Sequence, residues 1–169
     1  MNWTELLNDN VNRTYHAIDG LLALCDDASL SWKPSTGSNW MTTGQLIDHL
    51  GNAGGSCIAG FVTGKWPMPE GASMDEMLPS AEKMPSAKSV AEAKKKIAAD
   101  RALALRMIAE AGEADLASKQ VAAPWDPTVL PLGLQCLGMI HHLANHKAQL
   151  FYYLKLQGKP VHTGHLYGM

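Results

Sequence analysis

The stretch that decides the fold is HHLANHKAQLFYYLKLQGKP, residues 141–160. Together with the residues before it, it predicts a helix from about Leu132 to Gln157 in which four residues share one face: Met139, His142, His146 and Tyr153. Gly158-Lys159-Pro160 supplies the signal that ends such a helix. Three histidines and a glutamine within nine positions raise the question whether this helix binds a metal or carries ordinary polar residues.

Two more helices follow from apolar side chains spaced three and four residues apart. The first spans roughly Asn2 to Asp26, and its predicted inward residues are Leu7, Val11, Tyr15, Ile18, Leu22 and Cys25. The other spans roughly Ser86 to Ala111, and its predicted inward residues are Val90, Ala93, Ile97, Ala104 and Ile108. The run Lys94-Lys95-Lys96 is then expected on its solvated face.

The remaining helix is predicted from Thr42 toward Phe61 and begins with a capping box. The Thr42 hydroxyl can accept the Gln45 backbone N–H, and the Gln45 side chain can reach back to Thr42. The middle of this helix is GNAGGS, residues 51–56, although each interior glycine costs about 1 kcal/mol relative to alanine. Two explanations remain open: close approach of a neighbouring backbone, and open space beside the helix.

Two irregular stretches separate the helices. Residues 62–86 hold four prolines and predict a long crossover: Pro67, Pro69, Pro79 and Pro85. The second stretch includes APWDPTVLPLG, residues 123–133. Because no segment shows the alternation of a β-strand, we predict an all-α fold, a four-helix bundle in a single domain over residues 1–169. Loops of this length are often functional.

The composition excludes several classes of function. A net charge of −2 predicts no broad basic surface for nucleic acid. No apolar run approaches the ~18 residues needed to span a membrane, and the polar start MNWTELLNDN leads us to expect no secretory signal. Cys25, Cys57 and Cys136 lack CxxC spacing, which favours a reducing, cytoplasmic setting. Cys57 and Cys136 are expected to be small buried apolar residues away from the faces that carry metal ligands.

The spacing of the histidines indicates which of them can share a metal ion. On a helix, His142 and His146 point only about 40° apart around the axis, whereas His141 points about 100° away from His142. A catalytic metal usually takes three protein ligands and keeps one position open. His49, on the helix with the capping box, is the candidate for the third ligand. The alternative is that these histidines only form hydrogen bonds between helices.

Two segments of the chain resemble the DinB/YfiT-like family. WKPSTGSNWMTTGQLIDHL, residues 32–50, resembles the family's loop and capped helix, which carries the first metal histidine. HHLANHKAQLFYYLKLQGKP resembles its last-helix motif: histidine, three residues, histidine, two residues, glutamine. Matched position by position, the resemblance implies that His49, His142 and His146 are the metal ligands and that Gln149 stands at the motif's glutamine. Lys147-Ala148 replaces the arginine and glycine that often follow the last histidine.

The resemblance also implies an up-down-down-up order of helices, a divalent metal such as zinc or nickel, and a homodimer. Some members of the family are transferases or isomerases that use a low-molecular-weight thiol, and others are assigned as metal-dependent hydrolases. The chain is therefore expected to bind a metal and to act as an enzyme on a small-molecule substrate. The alternative is a non-catalytic stress-response or binding module with a structural or vestigial metal.

Other polar residues near these motifs each allow two interpretations. Gln149 can hydrogen-bond a ligand, which makes it the weak catalytic candidate, or it can satisfy a polar patch on its helix. Tyr153 can line a pocket or fill the core. His162 and His165 in the tail can act as a fourth ligand or a general base, or remain solvated. Asp48 leaves its helix at an angle that does not suit orienting His49, so no general base is identified.

Overall fold

The computed structural model describes residues 2–67 and 72–169. These residues are mostly helical, and the helices are α1 (Trp3–Leu22), α2 (Thr43–His49), α3 (Gly55–Thr63), α4 (Met74–Met77), α5 (Val90–Ser118), α6 (Leu132–Leu156) and α7 (Thr163–Tyr167). Single 3₁₀ turns lie at Asp27–Ser29 and Ala81–Lys83, and a small antiparallel sheet pairs β1 (Gln120–Ala123) with β2 (Asp126–Pro131). None of the helices in the described ranges is both long and apolar enough to cross a bilayer.

The core lies between α1, α5 and α6, and the shorter helices α2 and α3 pack against α5 and α6. The inward residues predicted for α5 are all buried, as are those predicted for the first helix except Cys25, which is half-buried. Cys25 lies beyond the end of α1 at Leu22, so the predicted end near Asp26 is wrong. The predicted span of α6 is confirmed to within one residue. Regular helical geometry in α5 breaks one residue after the predicted end at Ala111, because Gly112 (φ 69°, ψ 168°) has non-helical dihedral angles; a second helical stretch follows this kink and ends at Ser118.

The predicted continuous helix from Thr42 to Phe61 is wrong, because the chain breaks between α2 and α3. At the break, the buried carboxylate of Asp100 on α5 accepts the backbone N–H groups of Gly54 (3.3 Å), Gly55 (2.8 Å) and Ser56 (2.7 Å). Donors at the start of a helix have no partner within it. A carboxylate from another helix therefore stabilises a new helix start at this point.

Close packing explains the glycines at the break. A Cβ on Gly55 would overlap the backbone carbonyl oxygen of Asp100, and a Cβ on Gly54 would overlap the hydroxyl of Tyr15. That hydroxyl donates to Asp100 Oδ2 at 2.7 Å, so α1, α3 and α5 meet at one carboxylate. Of the two explanations for the glycines, close approach of a neighbouring backbone is confirmed for Gly55, whereas Gly54 packs against a side chain.

The prediction that the chain contains no strand is wrong. Between α5 and α6, Gln120 of β1 pairs with Pro131 of β2, and Val121 pairs with Leu130. Half of β1 and nearly all of β2 are exposed, and β2 includes Pro127, which has no backbone N–H to donate. An exposed hairpin has no apolar alternation to reveal it, which is why the sequence pattern gave no sign of it.

The predicted crossover, residues 62–86, contains α4 and the second 3₁₀ turn, while its Pro69 lies outside the described residues. Gln45 ties the crossover to α2, since its Nε2 donates to the carbonyl oxygens of Ala81 (2.6 Å) and Met84 (2.9 Å). The same side chain completes the predicted capping box, which is confirmed: Thr42 N–H donates to Gln45 Oε1 at 2.8 Å, and Gln45 N–H donates to Thr42 Oγ1 at 3.2 Å. One glutamine therefore fixes the start of α2 and holds the crossover beside it.

Candidate metal centre

Three histidines from two helices meet between α2 and α6. His49 is the last residue of α2, and His142 and His146 lie one turn apart on α6. Each offers a ring nitrogen, and the three nitrogens lie within 4.8 Å of one another. The Nε2 atoms of His49 and His142 are 3.2 Å apart. The structure thus brings together the three side chains that the sequence singled out.

A chain of hydrogen bonds runs from His146 into the core. His146 Nδ1 lies 3.0 Å from Gln149 Oε1, Gln149 Nε2 donates to the Tyr153 hydroxyl at 3.2 Å, and that hydroxyl donates to the backbone carbonyl of Met41 at 2.9 Å. Gln149 therefore contacts a histidine of the cluster. Tyr153 is a buried core residue that does not line the cavity beside the histidines.

The direction of this chain assigns the protonation of His146. The Met41 carbonyl oxygen can only accept a hydrogen bond, so the Tyr153 hydroxyl donates its proton to that oxygen. The hydroxyl oxygen must then accept from the Gln149 amide N–H. The Gln149 oxygen then faces His146, and Nδ1 of that ring must carry the proton it donates. Nε2 is left with a free lone pair, which is the form of imidazole that binds a metal.

Burial keeps all three imidazoles in their neutral form near pH 7. Desolvation, followed by the neighbouring His146 and His142, lowers the pKa of His49 to about 4. Desolvation, followed by His146, lowers the pKa of His142 to about 4. Desolvation also lowers the pKa of His146, against an opposing contribution from its hydrogen bond to Gln149.

The histidines open into a cavity of about 360 Å³ that we call the histidine lobe. Besides His49, His142 and His146, it is lined by Met41, Cys57, Met77, Leu78, Pro79, Met84, Trp125 and Met139. These residues come from α2 and its preceding loop, the crossover, the hairpin turn, α3 and α6. The crossover and the hairpin, which the sequence pattern left as irregular, therefore supply walls of the cavity.

An adjoining cavity of about 280 Å³, the second lobe, shares six of these residues: His49, Cys57, Met77, Pro79, Met84 and Trp125. Its other lining residues are Asn52, Ser56, Trp66, Pro67, Glu76 and Pro85. The predicted placement of Cys57 is wrong, because this half-buried thiol lines both lobes. Helical periodicity from His49 does not predict the direction of the Cys57 side chain, since the helix breaks between the two residues. Cys136 is fully buried, as predicted.

The remaining histidines stay outside the cluster. His141 is exposed on α6, one residue before His142. His162 and His165 belong to the short helix α7, where His162 Nδ1 accepts the Gly164 N–H and His165 Nδ1 accepts the His162 N–H. Neither tail histidine acts as a fourth member of the group, so the side of the cluster that faces the cavity is not closed by another imidazole.

Asp48 and the lysine run meet beside the cluster. Lys96 Nζ donates to Asp48 Oδ2 at 2.8 Å and to the Asp48 carbonyl oxygen at 3.0 Å. Lys96 is half-buried, so the expectation that the whole run is solvated holds only for Lys94 and Lys95. The pairing directs Asp48 toward α5, in agreement with its predicted unsuitability to orient His49.

The donor set fits a divalent cation. Two nitrogens that each bind zinc tetrahedrally at about 2.0–2.1 Å lie roughly 3.3 Å from each other, close to the 3.2 Å between His49 and His142. His146 keeps its Nε2 lone pair free, and zinc and nickel accept imidazole ligands readily. A three-histidine cluster in this arrangement can hold such an ion while leaving room for a molecule in the histidine lobe.

Comparison with known proteins agrees with this architecture. A family model described as the DinB superfamily matches residues 10–150, which include the three histidines and Gln149. No curated protein and no solved structure matched the chain. Since the match extends over most of the sequence, the chain belongs to the DinB superfamily.

Proposed function

We propose that the protein is a metal-dependent enzyme in which His49, His142 and His146 hold one zinc or nickel ion against a small molecule in the histidine lobe. The observation that supports this most is the convergence of three ring nitrogens within 4.8 Å at the wall of a cavity of about 360 Å³. Cavities that bind small molecules typically have volumes of about 300–1,000 Å³. Three protein ligands are the usual number at a catalytic zinc site, where one position stays open.

Different residues of the chain would have different roles at such a site. The three histidines bind the cation, Gln149 holds the ring of His146 in the tautomer that binds, and the apolar walls exclude water. When bound, the cation supplies Lewis acidity toward a donor atom that enters the cavity. The helical arrangement also supports an up-down-down-up bundle of α1, α2–α3, α5 and α6 as the scaffold of the site.

Transfer of a low-molecular-weight thiol to an electrophile is favoured over hydrolysis by the lining of the cavity. Among the described residues of the histidine lobe, none is an aspartate, glutamate, lysine or tyrosine that could serve as a general base. A divalent cation lowers the pKa of bound water from about 15.7 to about 7, whereas a coordinating thiol is deprotonated outright, so a thiol would depend less on a protein base. In the proposed reaction the thiol releases its proton to solvent, its sulfur bonds to an electrophilic carbon, and the leaving group departs with the electron pair.

Nickel-loaded protein prepared without a histidine tag tests this proposal. Addition of 2-mercaptoethanol is expected to produce a sulfur-to-nickel charge-transfer band, and 1-chloro-2,4-dinitrobenzene is then expected to be consumed faster than in solution without protein. The His146→Ala variant should lose both signals, while His141→Ala should retain them because that ring is exposed outside the cluster. A thiol band and a reaction rate that are the same in both variants would contradict the proposal.

A further inference from the structure

The described wall of the histidine lobe carries no charged side chain. Around the three histidines it is formed by four methionines, a leucine, a proline, a tryptophan and a cysteine, at positions Met41, Met77, Met84, Met139, Leu78, Pro79, Trp125 and Cys57. No arginine or lysine among the described lining residues is placed to pair with a carboxylate or a phosphate. An unpaired anion that moves into such surroundings loses hydration without gaining a partner, which is unfavourable.

The second lobe carries a negative charge, which repels an anionic ligand. Glu76 is the one charged side chain among its described lining residues. Its Oε2 accepts the backbone N–H (2.7 Å) and the hydroxyl (2.9 Å) of Ser73, and these hydrogen bonds lower the pKa of the carboxyl group. An ionised carboxylate at this lobe opposes the entry of anions, while the lobe's other polar residues, Asn52 and Ser56, are neutral.

Methionine gives this cavity an adaptable wall. Its side chain is unbranched, has three rotatable bonds and carries a polarisable sulfur, so it adjusts to ligands of different shape. Trp125, which lies between the two lobes, offers a flat aromatic surface and packs edge-on against Trp66 at 5.1 Å between ring centroids. Such walls favour burial of aromatic or alkyl groups, which gains roughly 25 cal/mol per Å² of apolar surface.

We infer that the molecule held by the apolar walls of the histidine lobe is an uncharged small molecule, aromatic or alkyl, and that the lobe without a metal disfavours anions. The inference rests on the proposed function in naming this ligand the electrophilic substrate. The selectivity itself comes from the lining residues and does not require a bound metal. It is therefore measurable on metal-free protein, where a failure of the metal proposal does not affect the result.

Two fluorophores that differ by a single sulfonate provide the test: N-phenyl-1-naphthylamine, which is neutral, and 8-anilino-1-naphthalenesulfonate, which is anionic. Titration of metal-free protein followed by fluorescence is expected to show one site that binds the neutral probe at least tenfold more tightly. Equal or tighter binding of the sulfonate, or binding of neither probe, would overturn the inference.

A pair of variants locates the selectivity in the cavity. Leu78 lines the histidine lobe and is 58% exposed, so Leu78→Lys adds a cation at the cavity without burying it. Val129 on β2 is equally exposed at 58% and does not line either lobe. Leu78→Lys is expected to reduce the preference for the neutral probe at least threefold, and Val129→Lys to leave it unchanged. An unchanged preference in Leu78→Lys, or an equal reduction in both variants, would refute the assignment to this cavity.

Discussion

Replacement of Gln149 by leucine is expected to weaken metal binding without unfolding the protein. The side chain makes two hydrogen bonds, one with His146 Nδ1 at 3.0 Å and one with the Tyr153 hydroxyl at 3.2 Å. Leucine has a similar size and makes neither bond, so the His146 ring is free to rotate and to change its tautomer. Loss of such a partner of a metal-binding histidine typically lowers metal affinity 10- to 100-fold, which corresponds to about 1.4–2.8 kcal/mol.

Competition with a chromophoric chelator measures this change as a zinc dissociation constant. Gln149→Glu serves as the conservative variant, because a carboxylate oxygen can still accept the proton on His146 Nδ1, and we expect it to regain most of the lost affinity. Gln135→Leu serves as the control, since that glutamine lies on the same helix but donates to Val121 and Thr128 of the hairpin. Its zinc affinity should equal that of the unchanged protein.

Two results would refute the orienting role of Gln149. The first is an unchanged zinc affinity in a folded Gln149→Leu variant, which would mean that the His146 ring is held by packing alone. The second is a loss in Gln149→Glu as large as the loss in Gln149→Leu, since both variants remove the amide N–H but only the leucine removes the acceptor. A drop in thermal stability alone, with equal zinc affinity, would point to a purely structural glutamine.

The remaining predictions concern stability and thiol reactivity. Gly55→Ala should lower the free energy of unfolding by at least about 1 kcal/mol, because the added Cβ overlaps backbone atoms. Gly20→Ala should raise it by up to about 1 kcal/mol, because open space surrounds this helical position. Equal shifts of the two variants in urea titrations would contradict the packing at the helix break. Asp100→Ala should cost at least about 3 kcal/mol, since it leaves three N–H groups without their acceptor, two of them buried. Asp115→Ala, at an exposed position of the same helix, serves as its control. Similar unfolding midpoints for these two variants would contradict the capping role of Asp100. Burial raises the pKa of Cys136 to about 12, so a smaller fraction of this thiol is ionised at a given pH. Its alkylation at pH 8 should therefore be about a thousandfold slower than that of an unperturbed thiol. Rapid modification of Cys136 in native protein, detected by mass spectrometry, would contradict its burial.

The local features of the fold could be predicted from the sequence. The capping box at Thr42 involves residues three positions apart, and the span of α6 follows from its apolar spacing and the Gly158 stop signal. His142 and His146 share a face for the same reason, since a separation of four residues fixes their relative direction on any helix. The sequence offers His49 on the capped helix as the third ligand, the family resemblance implies the same residue, and the packing of α2 on α6 places it beside the other two.

The features that sequence reasoning missed depend on residues far apart in the chain. The helix break at Gly55 requires Asp100, 45 residues away, whose carboxylate replaces the hydrogen bonds that a continuous helix would make. Tyr15 reaches the same carboxylate across 85 residues. Because the break reorients the chain after His49, the placement of Cys57 at the cavity could not be deduced from helical periodicity. The GNAGGS segment was the one local signal that something unusual happens there.

One hydrogen bond of Gln149 could be predicted from local sequence, and the contacts beyond it could not. His146 and Gln149 are three residues apart on α6, so their contact was accessible to helical geometry. Of the two interpretations of Gln149, satisfying a polar patch on its own helix agrees with this contact, and contact with a ligand stays a prediction. The other end of the chain, from Tyr153 to the Met41 carbonyl, spans 112 residues and depends on tertiary packing.

Metal stoichiometry in protein prepared without a histidine tag tests the central proposal most directly. After reconstitution with zinc or nickel and removal of free ions, elemental analysis by mass spectrometry should find one metal ion per chain. The single variants His49→Ala, His142→Ala and His146→Ala should each lose it, and His141→Ala should keep it. A chain that takes up no metal, or that keeps a full equivalent when any one of the three clustered histidines is replaced, would contradict the account.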